Sequence, residues 1–427
     1  MHGMFQSCQV LGELDLSKFN TAKVEDMNAI FMNCKKIKNL NINSFNTKET
    51  KFMSYMFAQC NELTNLDIKF ETTNVISYIR MFQNCTNLKS LDLSSFETNS
   101  AQNMAGMFED CSSLTSLNIP NFKTYQINSM ESMFSGCTSL TSLNVNSFDT
   151  SQVLYMNKMF SNCKSLTSLD ISRFNTKLVT NAEGMFNSCS KLVSLDFSSF
   201  SGENIQNINQ MFQSCNSLKY LKINQFSTGS SLIRMNQLFG SCFSLETIDL
   251  SKMDTRNVKE MRSVFEGCEN LRQIDLSNFD THSVTSFENM FSGCKALTSL
   301  DLSRFNTDFV TSTMNMFKNC KSLQNINLKG FESEIVNNFS YMFYGCSSLT
   351  SLDLSSFNTQ SAKNITYMFD SCTKLQSLDL SKFYTLKCND FTNVFNDCKE
   401  LTIKVNVNYC QNLLNYIPSY IKVDKIN

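Results

Sequence analysis

Very little in this sequence would divide it. Across 427 residues there are 2 Pro and 12 Gly, with no Ser/Gly linker and no block of like charge. Nothing therefore marks boundaries between the several globular domains that a chain of this length ordinarily forms. Excess charge of one sign is also missing. The 37 Lys and Arg stand against 38 Asp and Glu, which removes the electrostatic reason to expect nucleic acid or an anionic membrane as partner. The apolar runs fall far short of a membrane span, so no membrane insertion is expected. The opening MHGMFQSC lacks a charged-then-apolar export signal, and no apolar stretch precedes Cys8 as a lipoprotein leader would.

Scarcity of catalytic residues narrows the function further. Histidine, the commonest acid–base catalyst, occurs only at His2, near the first residue, and His282, in a turn. Serine is abundant, but without an activating base it has no special reactivity. There is no CxxC, and the periodic cysteines are never closer than 25 residues, which argues against a metal site or a local disulfide framework. No catalytic residue, metal or cofactor is expected. A binding or structural surface is favoured over an enzyme, with a hydrolase as the distant alternative.

What the sequence does have is a repeat. Sixteen cysteines run from Cys8, Cys34 and Cys60 to Cys372 and Cys398, in steps of 26 except 25 before Cys85 and 27 before Cys242. Each follows a Phe by three residues, from Phe5 to Phe395. One clean copy reads VLYMNKMFSNC from Val153 to Cys163 and then KSLTSLDISRFNT to Thr176. In its first half Val153, Met156, Met159, Phe160 and Cys163 fall at the three-four spacing of one helix face. In its second half Leu169, Asp170 and Ile171 alternate as in a short strand with one buried face. Thr21, Thr150, Thr176 and Thr359 stand where they could cap the next helix. Each copy is thus expected to be strand, turn, short helix, turn.

One copy buries too little apolar surface to offset the ordering of its own backbone, so the copies must stack. The expectation is an α/β, leucine-rich-repeat-like solenoid of sixteen such units. It would have one parallel sheet on the concave side and short helices on the convex side, continuous over residues 1–398 and behaving as a monomer. After Cys398 the pattern changes: Lys404 falls where a buried aliphatic is due, and 399–427 is expected to be a C-terminal capping segment. Met4 and Phe5 begin in mid-unit, which suggests that upstream sequence is missing.

LTSLDISRF resembles a leucine-rich repeat, with Leu166, Leu169 and Ile171 in the aliphatic slots and Phe174 where Asn is usual. The combination of MFxxC, LxxLDLSxF and a following Thr is similar to the 26-residue repeat of BspA-like bacterial surface proteins, found also in mycoplasma lipoproteins. That resemblance implies a surface or secreted module binding proteins or host matrix. If the chain is complete, the missing signal implies a cytoplasmic scaffold for protein–protein interaction instead.

Two features of the strand face are candidate ligand-binding positions. The residue between the two strand aliphatics is mostly acidic, as at Asp170, Asp196, Asp249, Asp275 and Asp301. Carboxylates one rung apart repel, so they are either braced by turn amides or serve a cation or basic partner. In the ninth copy Tyr220 and Lys222 replace the usual Ser and Asp, placing an aromatic beside a cation between Asp196 and Asp249, as an interface anchor would. The cysteines, the Met column and the Phe column read as core.

Overall fold

A computed structural model describes residues 1–427. The chain forms two compact units, one of Met1–Ile205 with Ser214–Phe226 and the other of Gln206–Gln213 with Ser227–Asn427. The same repeat builds both as β-solenoids of parallel strands. The first contains β1 (Ser90–Asp92), β2 (Ser116–Asn118), β3 (Ser194–Asp196) and β4 (Tyr220–Lys222). The second contains β5 (Ser299–Asp301), β6 (Asn325–Asn327), β7 (Ser377–Leu380), β8 (Thr402–Asn406), a short α1 (Gln411–Leu414) and β9 (Lys422–Ile426).

Pairing is parallel and one repeat out of step: Leu91 faces Leu117, Leu195 faces Leu221, and Leu300 faces Ile326. Alternation along each strand follows the sequence pattern. Leu91, Leu195 and Leu300 are buried, while the residues before and after them are exposed.

The expected helices are absent. Over Val153–Cys163 the chain instead makes a run of tight turns, and α-helix is confined to α1. Lys158 and Asn162 have φ of 58° and 59°, left-handed values that a right-handed helix does not contain. Alternate amides point in different directions. Those of Lys158, Phe160 and Asn162 donate to Glu183, Met185 and Asn187 of the next repeat at 2.8, 2.9 and 2.7 Å, whereas Met159, Ser161 and Cys163 donate three residues back. A helix would keep all of these bonds within itself. The turn run spends half of them on its neighbour and so extends the inter-repeat ladder round to the far side. Parallel bridges such as Ser129 to Tyr155, Tyr155 to Asn181 and Ser312 to Asn338 begin that second ladder.

The threonines also do something other than cap helices. Thr281 Oγ1 donates to the Asn306 carbonyl at 3.0 Å and accepts the Asn306 amide at 2.8 Å. The same two-way bridge joins Thr21 to Asn46 and Thr176 to Ser201. These hydroxyls are buried, so each bridge satisfies a backbone pair that water cannot reach.

Three of the buried columns come from the turn runs. Phe108, Phe134, Phe160 and Phe186 stack with centroids 5.5 to 5.7 Å apart, and Phe239, Phe265, Phe291 and Phe317 repeat this in the second unit at 5.6 to 5.8 Å. Beside them the cysteine thiols donate to the Phe carbonyls of the preceding repeat, as in Cys163 to Phe134 at 3.2 Å and Cys320 to Phe291 at 3.1 Å. Met156, Met159 and their equivalents complete the packing and are fully buried.

Near the end of the sequence β8 lies between β7 and β9, all parallel. Lys404 is not in a buried slot. It pairs in register with Asp379 and is exposed, while Ile403 and Val405 on either side are fully buried. The repeat is one residue short here, since Leu378 faces Ile403, and the deletion moves Lys404 into the outward acidic column.

Candidate functional site

The strand face presents two columns of outward side chains, one before and one after each buried aliphatic. In β5 these are Ser299 and Asp301, and in β6 Asn325 and Asn327. Extended backbone places both on one face, two residues apart. What happens next in the chain fixes the acidic column. Nearly all of these Asp side chains accept the amide of the residue two further on, closing a small turn at the strand end. Ser172 donates to Asp170 at 3.0 Å, and Ser251, Ser277 and Ser303 donate to Asp249, Asp275 and Asp301 at 2.9 Å.

These bonds act on the charge. The Ser172 hydroxyl and amide hold the Asp170 carboxyl below the usual carboxylate range. Asp249 and Asp275 are lowered first by the backbone amides of Ser251 and Ser277. Asp301 is lowered first by the Ser303 hydroxyl. The column is therefore ionised and locally braced, with one carboxylate oxygen committed to the turn.

Asp196 differs because a cation joins it. Asp196 and Lys222 are register partners, and Lys222 Nζ lies 3.0 Å from Asp196 Oδ2. The Ser198 hydroxyl, then its amide, then Lys222 bring Asp196 down to about 2. Beside it Tyr220 is 62 % exposed, with Lys219 Nζ 5.5 Å from its ring centroid. The first unit thus brings Tyr220, Lys222 and Asp196 together, while Asp249 belongs to the second. At the other end of the second unit Lys404 neutralises Asp379 in the same way, at 3.1 Å.

Between the two columns the face is hollowed. In the second unit a shallow depression of about 720 Å³ is lined by Thr247, Gln273, Ser299 and Ser351 on one side and by Asp275, Asp301 and Asp353 on the other. Its floor includes Ile248 and Ile274, both incompletely buried. A smaller one of about 280 Å³ in the first unit includes Asp170 with Asn144 and Ser168. In the sequence the neutral column shows as the Ser or Asn that commonly stands two residues before the acidic position, as at Ser168 and Ser194, with Thr247 and Gln273 as departures.

The buried cysteines are not part of any reactive site. Burial pushes the Cys189 and Cys320 thiols up to about 12, so they stay protonated and unreactive. Cys8 is exposed. The two histidines are exposed beside carboxylates, His2 with Asp26 and His282 with Asp280. No helix is long and apolar enough to cross a membrane.

Among curated proteins none matches this sequence. Solved structures similar to it include a leucine-rich repeat protein from Eubacterium ventriosum ATCC 27560, at 15 % identity over 73 % of this chain and 83 % of that one, with a TM-score of 0.36. Another is a leucine-rich repeat protein of Leptospira interrogans, at 13 % identity over 91 % and 96 %, with a TM-score of 0.26. A third is TLR13 in its complex with ssRNA13, at 20 % identity over 86 % of this chain, which spans 59 % of the TLR13 chain, with a TM-score of 0.27. At such TM-scores none of them carries a ligand or a function across. The sequence family is better defined and agrees with the BspA-like character of the repeat. The model described as "Mycoplasma protein of unknown function, DUF285" matches residues 1–117, 111–226, 233–351 and 324–416, and the chain belongs to that family.

Proposed function

We propose that the chain is a non-catalytic binding module that takes a protein ligand on its strand face, in the setting of a bacterial surface. The observation that carries this is the depression between the neutral column of Thr247, Gln273, Ser299 and Ser351 and the acidic column of Asp275, Asp301 and Asp353. Its donors and acceptors repeat at strand spacing, about 4.8 Å, which suits an extended polypeptide lying across the strands. The carboxylates would take basic side chains, and the neutral column would meet the ligand's backbone. Asp249 and Asp170 extend the same chemistry beyond and outside this depression. Tyr220 with Lys222 and Asp196 is a separate anchor candidate, where an exposed ring and a partly paired cation break the repetition. In this reading residues 1–398 are sixteen units of one scaffold and 399–427 close its end. The surface setting rests on the BspA-like resemblance.

The test is a screen of the purified chain against matrix proteins and intact cells, followed by Asp275→Asn with Asp301→Asn on any ligand found. Binding weakened about tenfold or more supports the strand face. Unchanged binding sinks it, and turnover of a substrate abolished by one polar substitution would make the protein an enzyme instead. Tyr220→Ser with Lys222→Asp, which restores the repeat consensus, tests the second anchor in the same assay.

A further inference from the structure

We propose that Phe309 and Ile335 seat a second docking surface, away from the strand face, for a basic and apolar segment of a partner protein. Both lie two residues after the bridging Thr307 or Ser333, in successive repeats. The backbone on either side fixes their stacking: the Ser333 amide donates to Thr307 Oγ1 at 3.1 Å, and the Asn337 amide donates to the Thr311 carbonyl at 2.9 Å. The two side chains therefore stand about one strand spacing, about 4.8 Å, apart.

They are also out of place for a scaffold. Phe309 is 60 % exposed and Ile335 41 % exposed, whereas the equivalent positions one repeat before and after hold Ser283 and Ser361. Turns need no aromatic there, and each side chain leaves apolar area in water that a partner could remove. Single exposed hydrophobes are ordinary, but two in register form a contiguous patch.

The rim selects the partner. Asp308 and Glu334 immediately precede the two residues and are exposed one repeat apart, and Glu332 is exposed nearby. Asp308 accepts the Asn306 side-chain amide at 2.9 Å, and the protein's ion pairs, such as Arg256 with Asp254 and Lys295 with Glu269, engage none of the three. Like charges on adjacent rungs repel, and a cation brought by a ligand would relieve this. An anionic membrane or an acidic segment is disfavoured by the same charges. A segment carrying Lys or Arg beside Leu or Phe satisfies both patch and rim.

The test uses the full chain and three labelled probes: a short peptide alternating Leu and Lys, one alternating Leu and Glu, and oligolysine of the same length. The Leu–Lys peptide is expected to bind at least about tenfold tighter than either other probe. Phe309→Ser with Ile335→Ser should lose that margin while melting like the parent, because both positions already carry Ser elsewhere in the array. Asp308→Asn with Glu334→Gln should weaken binding and flatten its salt dependence. In Asp275→Asn with Asp301→Asn the margin of the Leu–Lys peptide over oligolysine should persist, whatever basic peptide the strand face itself holds, which separates this surface from the strand-face site. The proposal fails if no probe binds, if oligolysine binds equally well, or if only the strand-face variant loses binding. It also fails if the parent sediments as a dimer that Phe309→Ser with Ile335→Ser splits, since the patch would then join two copies of the chain.

Discussion

Thr150 holds both polar backbone groups of Asn175 in the next repeat, its Oγ1 donating to the carbonyl at 2.9 Å and accepting the amide at 2.8 Å. One buried hydroxyl thus does the work of a ladder rung where no strand exists. Thr150→Val keeps the shape and removes both bonds, and it should cost about 1–3 kcal/mol in urea unfolding, since the Asn175 groups are left unsatisfied. Thr150→Ser should cost much less, because Ser333 makes the same bridge to Asn358 at 3.1 Å in both directions. A larger loss for Ser than for Val would show that the methyl packing matters and the bridge does not.

Left-handed residues in the turn run give a second test. Asn162, at φ 59°, precedes Cys163. Asn162→Ala should destabilise by about 1 kcal/mol and Asn162→Gly should be neutral or stabilising, because an alanine Cβ disfavours this conformation and glycine has none. In a helix the order would be reversed, with Ala the better residue. Denaturation midpoints of the two variants decide between the two backbones.

How much of this was legible depended on which residues were read. Cys163 and Phe160 revealed the period, and Leu169, Asp170 and Ile171 revealed the strand and its outward face, because alternation leaves few other options. Val153, Met156, Met159 and Phe160 misled, since paired turns bring residues inward every three or four positions much as a helix does. The correcting signal stood one residue before the cysteines: Asn84, Asp110, Gly136, Asn162, Gly267 and Asn319 are types that tolerate positive φ, and all adopt it. The position of Thr150 at a turn is visible in the sequence, but its bond to the next repeat has no local sequence mark. The pattern alone puts Lys404 in a buried slot, because the one-residue deletion that moves it outward shows only in the strand register. Of the candidate site, the Asp column and the Tyr220–Lys222 departure were visible, while the depression between two columns needed the strands side by side.

The cysteine column makes the fold sensitive to alkali. Burial raises Cys111, Cys189 and Cys320 to about 12, against about 8.5 in an unfolded chain. A group raised on folding stabilises fully below its unfolded value and loses that contribution as pH rises towards the folded one. Under reducing conditions the urea midpoint should fall steadily above about pH 8.5. In native buffer at neutral pH a thiol reagent should label Cys8 rapidly, and most of the 18 cysteines only after denaturation. Rapid labelling throughout would contradict the buried column.

The aspartates act in the opposite direction. Asp92, Asp170, Asp249 and Asp275 are lowered by the residue two further on, and Asp196 reaches about 2. A group lowered on folding stabilises above its unfolded value, about 3.9, and loses this as pH falls through the folded one. Unfolding midpoints should therefore drop between about pH 4 and about pH 2. Asp196→Asn should make that drop shallower. A midpoint flat across this range would mean that the turn bonds to the acidic column do not persist in solution.

The repeats are joined on both sides by backbone bonds between neighbours, with tight turns where the residue spacing suggests helices. Far-UV circular dichroism of the purified chain tests this most directly. With α-helix confined to Gln411–Leu414, the spectrum should be that of strand and turn, without the double minimum of a helical protein. A strong helical double minimum, such as a short helix in every repeat would produce, would contradict it.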